Sequence, residues 1–190
     1  MPATWEVIVT TVSPAGEVHI APMGIREEEN LVLLQPFRPS KTLDNVLTSG
    51  CAVVNYSDDV RVFAGCLTGR RKWATVPADK VTGCRLEAPL AHRELQLERI
   101  ENDEVRPKLW CRSAAFQSHA PFRGFNRAQA AVLEAAILVS RLERLPRAKV
   151  EAEVQYLTIS ISKTAGPAEL EAWGWLMERI EAHLATAARK

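Results

Sequence analysis

Hydrophobic and polar positions alternate over much of the first part of the chain and predict a series of short strands. Trp5 to Val12 is rich in β-branched residues, and residues 13–16 (SPAG) supply turn chemistry after it. Val18 to Ile25 alternates and Leu31 to Pro36 is a short apolar run, so two more strands are expected. Pro22 predicts that the second of these strands is broken or lies at a sheet edge.

A short helix is expected within Phe37 to Gly50 (FRPSKTLDNVLTSG). Apolar residues recur there at helical spacing from Leu43 onward, and Gly50 stands where the C-terminus of a helix favours glycine. The helix is therefore expected to begin at residues 40–42 and to run for about two turns.

The middle of the chain predicts further strands and a second short helix. Cys51 to Tyr56 indicates a buried strand, and residues 57–59 (SDD) supply the start of a helix over residues 60–67. Arg93 to Glu101 and residues 108–116 predict two strands that pair across a polar turn. We expect at least six short strands with two brief helices among them.

Alanine, leucine, glutamate and arginine dominate from Asn126 onward, and the strand pattern fades. Asn126 is expected to cap a helix that runs to about Leu145. Residues 150–161 fit either a helix or a strand, and the helical spacing is favoured. Pro167 follows a glycine and predicts the start of a last helix. The fold class is thus mainly β plus α, with a β domain over 1–122 and a helical bundle over 123–190.

Composition narrows the range of partners. The 190 residues carry a formal net charge of +1 and are 47% hydrophobic, which suits a globular domain and provides no chain-wide basic surface for nucleic acid or an anionic membrane. The four cysteines form no CxxC pair and are expected to be reduced core residues. The N-terminal sequence has no signal-peptide pattern and no apolar run has membrane-spanning length, which predicts a cytoplasmic protein.

The predicted helix start at residues 40–42 gathers groups that suit an anion. Ser40, Lys41 and Thr42 stand at the helix N-terminus, and Arg38 lies just before them. A helix N-terminus carries about half a positive charge and several unsatisfied N–H donors, to which the cations add charge-assisted donors. The segment predicts either a phosphate-sized anion site or an ordinary helix cap with solvated cations, and the local sequence leaves both open.

Other common chemistries find little support in the sequence. No metal site is predicted, because the histidines have no ligand spacing; they are His19, His92, His119 and His183. No GxSxG, GxGxxG or GxxxxGK[ST] pattern is present, which excludes nucleophile-elbow, Rossmann and P-loop sites. His19 is either structural or a proton donor. The basic run Arg70 to Lys72 before Trp73 favours a solvated loop over an anion site.

A series of motifs runs through the chain: SPxGxVHIAPMG, RPSKTxxN before a helix, an AVVN strand and a DD-capped helix. Together they resemble the flavin-binding split β-barrel superfamily, which includes pyridoxamine phosphate oxidases and flavin reductases. The chain more closely resembles a family catalogued only as a domain of unknown function, with GFNRAxxAVxEAAI and KTxGxxE in its C-terminal part. Here these read GFNRAQAAVLEAAI, Gly124 to Ile137, and KTAGPAE, Lys163 to Glu169.

The resemblance implies an FMN-binding split β-barrel with a C-terminal helical subdomain, and a homodimer that holds FMN at its interface. It assigns the FMN phosphate to Ser40, Lys41 and Thr42, with Arg38 alongside and Asn45 as a further contact. It implies that the flavin ring lies against Ala21, Pro22, Met23 and Gly24, and that Asn55 reaches the ribityl chain or the ring. Asn126 and Arg127 are either a second anion contact or a helix cap beside a surface cation.

The leading hypothesis is an FMN-dependent oxidoreductase that acts on a small substrate, because flavin carries the hydride and the protein needs no catalytic triad. The resemblance makes a pterin-like substrate the first guess. The alternatives are a non-catalytic flavin carrier or sensor, and a barrel that serves only as a structural dimer scaffold.

Overall fold

The structure of the protein is a computed structural model that describes residues 2–187. Eight strands are formed within these residues: β1 (Trp5–Val12), β2 (Val18–Glu28), β3 (Leu31–Leu34), β4 (Cys51–Tyr56), β5 (Thr75–Pro77), β6 (Cys84–Leu86), β7 (Ala91–Glu101) and β8 (Lys108–Ser118). The five α-helices in the same range are α1 (Lys41–Ser49), α2 (Val60–Leu67), α3 (Arg127–Val139), α4 (Arg147–Thr164) and α5 (Pro167–Ala187).

Six strands close into an antiparallel barrel in the order β1-β2-β3-β8-β7-β4. One core cluster is built from alternate positions of these strands, such as Val7 and Val9 on β1 and Leu109 and Cys111 on β8. Helix α1 adds Leu43 and Val46 to this cluster. The predicted combination of a β-barrel with C-terminal helices is confirmed.

A small hairpin, β5–β6, forms a separate two-stranded sheet that covers part of the barrel. The hydroxyl of Thr10 on β1 donates to the Cys84 carbonyl at 2.5 Å, and the Leu86 N–H donates to Asn55 Oδ1 on β4 at 2.8 Å. Because Thr10 and Asn55 are buried, the hairpin shields polar side chains that the barrel does not turn into its own core.

Pro22 does not break β2, and the other predicted outcome holds: the strand lies at a sheet edge at this residue. The strand is continuous over Val18–Glu28 and pairs with β1 along its length, with Pro22 opposite Ile8. Pairing of β2 with β3, however, is confined to Arg26–Glu28. Proline lacks only the N–H donor, and the strand tolerates it where β2 has a strand neighbour on one side.

A second compact unit joins Asp58–Lys72 to the chain from Arg123 onward. Helices α2 to α5 pack there around a core that includes Val60, Ala64 and Leu176. Residues 58–72 therefore group with the helices, whereas the sequence placed them within the continuous segment 1–122. The reason is that the buried face of α2 belongs to the helical core.

The C-terminal helices follow the sequence closely, with one difference in length. Residues 150–161 are helical within α4, as the favoured interpretation predicted, and Pro167 begins α5. Helix α3 ends at Val139, before the predicted end near Leu145, and a short 3-10 helix, Leu142–Arg144, follows it. In the part of the chain that the structure describes, no helix combines the length and apolarity needed to span a membrane.

The four cysteines are free, buried thiols, as predicted. Burial raises the pKa of the Cys66 thiol to about 11 and that of Cys111 to about 12. These thiols are therefore protonated near neutral pH and behave as small core residues.

Candidate functional site

The N-terminus of α1 forms as predicted. Ser40 has extended backbone dihedrals and its hydroxyl accepts the Leu43 N–H at 3.2 Å, which makes it the helix N-cap. Gly50 ends the helix with φ of 68° and donates its N–H to the Val46 carbonyl. Ser40 thus has a structural role, and the neighbouring N–H groups of the first turn have no acceptor within the helix.

Two of the predicted phosphate contacts, Lys41 and Thr42, retain bonding capacity at this end. Thr42 is only 3% exposed, yet its hydroxyl forms no hydrogen bond within residues 2–187. Lys41 is exposed and forms no ion pair within the same residues. The Thr42 hydroxyl oxygen itself is not fully enclosed, since the fully buried side-chain atoms without a partner in the described residues are Tyr56 Oη and Arg93 Nε. It can therefore donate to a ligand that accepts hydrogen bonds. The phosphate of FMN fits that description.

Asn45 and Arg38 flank this position differently. The Asn45 amide is buried and donates to the Thr11 hydroxyl at 3.0 Å, which ties α1 to β1. Arg38 is exposed, donates its backbone N–H to the Val105 carbonyl and lies at an open depression that Asp103 and Glu104 also line. Acidic groups thus share the surroundings of Arg38.

The four residues predicted to meet the flavin ring lie in the middle of β2. Ala21 pairs with Val9 and Met23 with Val7, both on the side of the barrel core. Pro22 and Gly24 alternate to the opposite side of the strand. A Cβ at Gly24 would approach Thr4 Cγ2 to 2.8 Å, which accounts for the glycine by local packing. Contact of these residues with a ring stays a prediction.

Asn55 is fully buried, and its amide bonds within the barrel unit. Its Nδ2 donates to the Ile8 carbonyl and to the Thr10 hydroxyl, each at 3.2 Å, while Oδ1 accepts the Leu86 N–H. The geometry favours a structural role that joins β1, β4 and the hairpin. Its predicted contact with the ribityl chain or ring stays untested.

A second polar cluster, which we call the histidine relay, consists of Glu94, His92 and His119. Glu94 and His92 are buried on β7, and His119 is exposed just after β8. His92 Nε2 lies 3.2 Å from Glu94 Oε1, and His92 Nδ1 lies 2.8 Å from His119 Nε2. The two ring planes differ by 13° with centroids 5.0 Å apart, an edge-to-edge contact, since the facing nitrogens account for most of that separation.

The loop between β5 and β6 holds the Glu94 carboxylate. Asp79 N–H donates to Oε1 at 2.7 Å, and the N–H groups of Lys80 and Val81 donate to Oε2 at 2.6 and 2.9 Å. Burial by itself raises the pKa of Glu94, but these three donors together with His92 lower it below its ordinary value. Glu94 is therefore ionised near neutral pH.

Sequence reasoning missed the histidine relay. His92 and His119 are 27 residues apart, and only the pairing of β7 with β8 brings them together. The HxE spacing of His92 and Glu94 on one strand face was the available signal. Potential ligand atoms of Asp79, His92 and Glu94 lie within 4.8 Å of one another, but both Glu94 oxygens already accept two donors each. The carboxylate is thus engaged in protein hydrogen bonds.

Asn126 and Arg127 lie in the helical unit. Asn126 caps α3, since its Oδ1 accepts the Ala128 N–H at 2.8 Å, and its Nδ2 donates to the Thr164 carbonyl. Arg127 is exposed. Glu169 accepts from Gln129 and from the Gly166 N–H, so the two C-terminal motifs are hydrogen-bonded to each other. Their geometry supports the cap interpretation, and an anion contact stays a prediction.

The basic run before Trp73 is partly engaged within the helical unit. Arg70 lies over the Trp175 ring at 4.6 Å from its centroid and forms an ion pair with Glu178 at 3.4 Å. Arg71 and Lys72 are exposed. Arg70 therefore contributes to helix packing instead of standing as a solvated charge, whereas Arg71 and Lys72 agree with the favoured interpretation of a solvated loop.

Two family models match the sequence. The model described as protein of unknown function (DUF447), N-terminal domain, matches residues 5–120, and the model described as protein of unknown function (DUF447) matches residues 126–178. The chain belongs to the DUF447 family. The resemblance to an uncharacterised family is thereby confirmed. A search of curated protein sequences found no match to this DUF447 chain.

Solved structures share the fold of this DUF447 protein. The FMN-bound protein MM1853 from Methanosarcina mazei, of the same family, has a TM-score of 0.79 and 20% identity over 94% of this chain and 96% of that one. The 2-nitrobenzoate 2-nitroreductase NbaA from Pseudomonas fluorescens has a TM-score of 0.53 and 17% identity over 63% and 66% of the chains. An FMN-binding protein from Thermus thermophilus with bound 1-cyclohex-2-enone has a TM-score of 0.52 and 13% identity over 62% and 71%.

Proposed function

We propose that this chain binds FMN and that the N-terminus of α1 holds the phosphate. The observation that carries the proposal is the set of unpartnered polar groups on Lys41 and Thr42 beside the Ser40 cap. Dianionic phosphate would accept hydrogen bonds from the first-turn N–H groups, the Thr42 hydroxyl and the Lys41 ammonium. The FMN-bound relative from Methanosarcina mazei supports the proposal, because the structural match extends over 96% of that protein's chain.

The proposed reaction is a flavin-dependent oxidation or reduction of a small substrate. FMN, when bound, supplies a ring that accepts or donates a hydride, and the protein supplies placement, electrostatics and exclusion of water. The likeness to a nitroreductase supports an oxidoreductase over a flavin carrier. A flavin carrier or sensor is the second candidate, and a pterin-like substrate stays a prediction from the sequence.

We further propose that the functional form is a homodimer. The barrel unit leaves large apolar side chains exposed, among them Trp5 at 57% and Val105 at 59%. A second copy of the chain would cover such groups. Light scattering coupled to size exclusion measures the mass, and a stable monomer that still binds FMN would contradict the shared site.

The proposal is tested by Lys41→Ala with FMN and riboflavin as paired ligands. Each charge-assisted contact to phosphate contributes about 1.5 to 3 kcal/mol. Loss of Lys41 should therefore weaken FMN about ten- to a hundredfold, whereas riboflavin, which lacks the phosphate, should bind almost as before. Fluorescence titration of the flavin measures both affinities in the wild type and in the variant.

The pairing of two ligands with two proteins cancels general damage to the fold. Lys149→Ala, at an exposed position of α4 whose ammonium pairs with Glu153, is the matched control and should leave both affinities unchanged. Equal loss of FMN and riboflavin in Lys41→Ala, or no loss of either, would show that the phosphate lies elsewhere.

A further inference from the structure

The histidine relay has a defined direction of hydrogen bonding. The ionised Glu94 carboxylate can only accept, so His92 Nε2 carries the proton that bridges the 3.2 Å gap. When the His92 ring carries this one proton, its other nitrogen, Nδ1, is an acceptor. His119 Nε2, at 2.8 Å, must donate to it. The buried carboxylate thus selects one tautomer in each ring. Nδ1 of the exposed His119 is then the nitrogen of the histidine relay that can accept a proton.

The surroundings of His119 keep it neutral near physiological pH. Partial desolvation, the Arg85 guanidinium on β6 and the His92 ring lower the pKa of His119 below its ordinary value, and Asp79 opposes them. His119 donates its backbone N–H to the Leu90 carbonyl at 2.7 Å, which fixes the main chain at this position. The side chain is therefore an exposed, oriented imidazole with an unprotonated nitrogen.

We infer that His119 is an acid–base residue that exchanges a proton with a small substrate, and that His92 and Glu94 are its positioning residues. A purely structural pair of Glu94 and His92 would not need a second imidazole, that of His119, at the surface. The arrangement of a buried carboxylate, a buried imidazole and an exposed imidazole matches what general base catalysis requires: a base near its working pH whose tautomer is fixed by a second group.

The inferred step takes a proton from an O–H or N–H group of the substrate. That bond breaks, the proton binds His119 Nδ1, and the electron pair stays on the substrate heteroatom to form a C=O or C=N bond. Oxidised FMN, when held by the residues proposed above, would supply the acceptor for the hydride that leaves the adjacent carbon; this part rests on the function proposed above. The imidazolium keeps its Nε2–H bond to His92 and returns the new proton to solvent. The expected substrate class is a small alcohol or amine.

Nuclear magnetic resonance of ¹⁵N-labelled protein tests the positioning directly, without flavin or substrate. Between about pH 5 and 8, His119 should appear as the Nε2–H tautomer at neutral pH and should titrate below its ordinary pKa. Glu94→Gln removes the negative charge that favours protonated imidazole, so it should move the His119 titration to lower pH and mix the tautomers. An unchanged titration, or mixed tautomers already in the wild type, would overturn the inference.

Two further measurements test the relay without the Glu94→Gln variant, in case that variant does not fold. His119→Gln, at an exposed position, should shift the His92 Nδ1 resonance because its hydrogen-bond donor is gone, whereas His183→Gln should not. Diethyl pyrocarbonate, which acylates unprotonated imidazole, should modify His119 before His183, which is 18% exposed at its side chain. The relay is contradicted if the His92 Nδ1 resonance is unchanged in His119→Gln, or if the reagent does not modify His119 before His183.

The outcomes separate this inference from the FMN proposal. A failure of Lys41→Ala to affect FMN affinity leaves the tautomer and titration results intact. A failure of the relay measurements leaves the phosphate site intact.

Discussion

The barrel unit contains two polar clusters of opposite character. At the N-terminus of α1 the Thr42 hydroxyl forms no hydrogen bond within residues 2–187. Under the β5–β6 hairpin, the Thr10 hydroxyl donates to Cys84 and accepts from Asn55, and Glu94 accepts four donors. The first cluster leaves hydrogen-bonding capacity open, and the second uses it within the protein.

The difference indicates separate roles. A hydroxyl and an ammonium that the described part of the protein leaves without partners can both donate to a ligand, so the first cluster suits an exchangeable anion. A saturated cluster holds its members in one geometry and couples the hairpin to the barrel. His119 is the point where this rigid cluster reaches the surface. The same barrel thus provides an open site for binding and a closed network for positioning.

The largest effect is expected from Glu94→Gln. An amide presents an N–H₂ group where the carboxylate accepts backbone N–H donors from Asp79, Lys80 and Val81, so at least one buried donor loses its acceptor. Breaking a buried, charge-assisted network costs about 3 kcal/mol. Urea unfolding monitored by tryptophan fluorescence should show this loss at neutral pH, whereas Glu98→Gln, at an exposed position of the same strand, should be neutral.

Acidification should reduce the difference in the free energy of unfolding between the wild type and Glu94→Gln. The pKa of Glu94 is lowered by folding, so its contribution is complete above the ordinary value of 4.5 and is lost as pH falls through the lower folded value. The variant has no such titration. The stability difference should therefore be constant near neutral pH and shrink below about pH 4.5. A constant difference down to pH 3 would argue against a carboxylate ionised by the fold.

Two threonine to valine substitutions form a matched pair, and the larger of their effects on the free energy of unfolding is expected to be intermediate. Thr10→Val removes a hydroxyl that bonds the Cys84 carbonyl and Asn55, and leaving these buried groups unpaired should cost about 2 kcal/mol. Thr42→Val removes a hydroxyl without a hydrogen bond in the described chain, so it should cost less than about 0.5 kcal/mol while it weakens FMN. Thermal unfolding without flavin compares the two, and equal losses would erase the distinction between the clusters.

The sequence predicted the open cluster well because its signals are local. The Ser40 cap, the αL glycine at Gly50 and the apolar face of α1 are all encoded within eleven residues of chain, and the structure has them where expected. Most barrel strands and the helical nature of residues 150–161 were predicted for the same reason. For Pro22 the sequence left a break and an edge position open, because the choice depends on which side of the strand has a neighbour.

The closed cluster could not be predicted from local patterns. Glu94 depends on three N–H groups from a loop 13 to 15 residues away, and His92 meets His119 only through cross-strand register. Asn55 and Asn126 show that local patterns can also predict a ligand contact where the fold uses the side chain itself. Their residue types suited a ligand, but the tertiary fold engages both amides in hydrogen bonds of its own.

A smaller loss of stability than that of Thr10→Val is expected from Gly24→Ala, which tests whether this glycine serves packing or a cofactor. The added Cβ would lie 2.8 Å from Thr4 Cγ2, an exposed side chain that can move, so the substitution should cost about 1 kcal/mol of stability. Thr4→Ala removes the clash, and the double variant should regain most of the loss, as chemical denaturation without flavin would measure. If FMN affinity falls in Gly24→Ala and recovers in the double variant, the glycine acts through strand packing. An FMN loss that persists after the stability is restored would instead identify Gly24 as a place where the ring approaches the backbone.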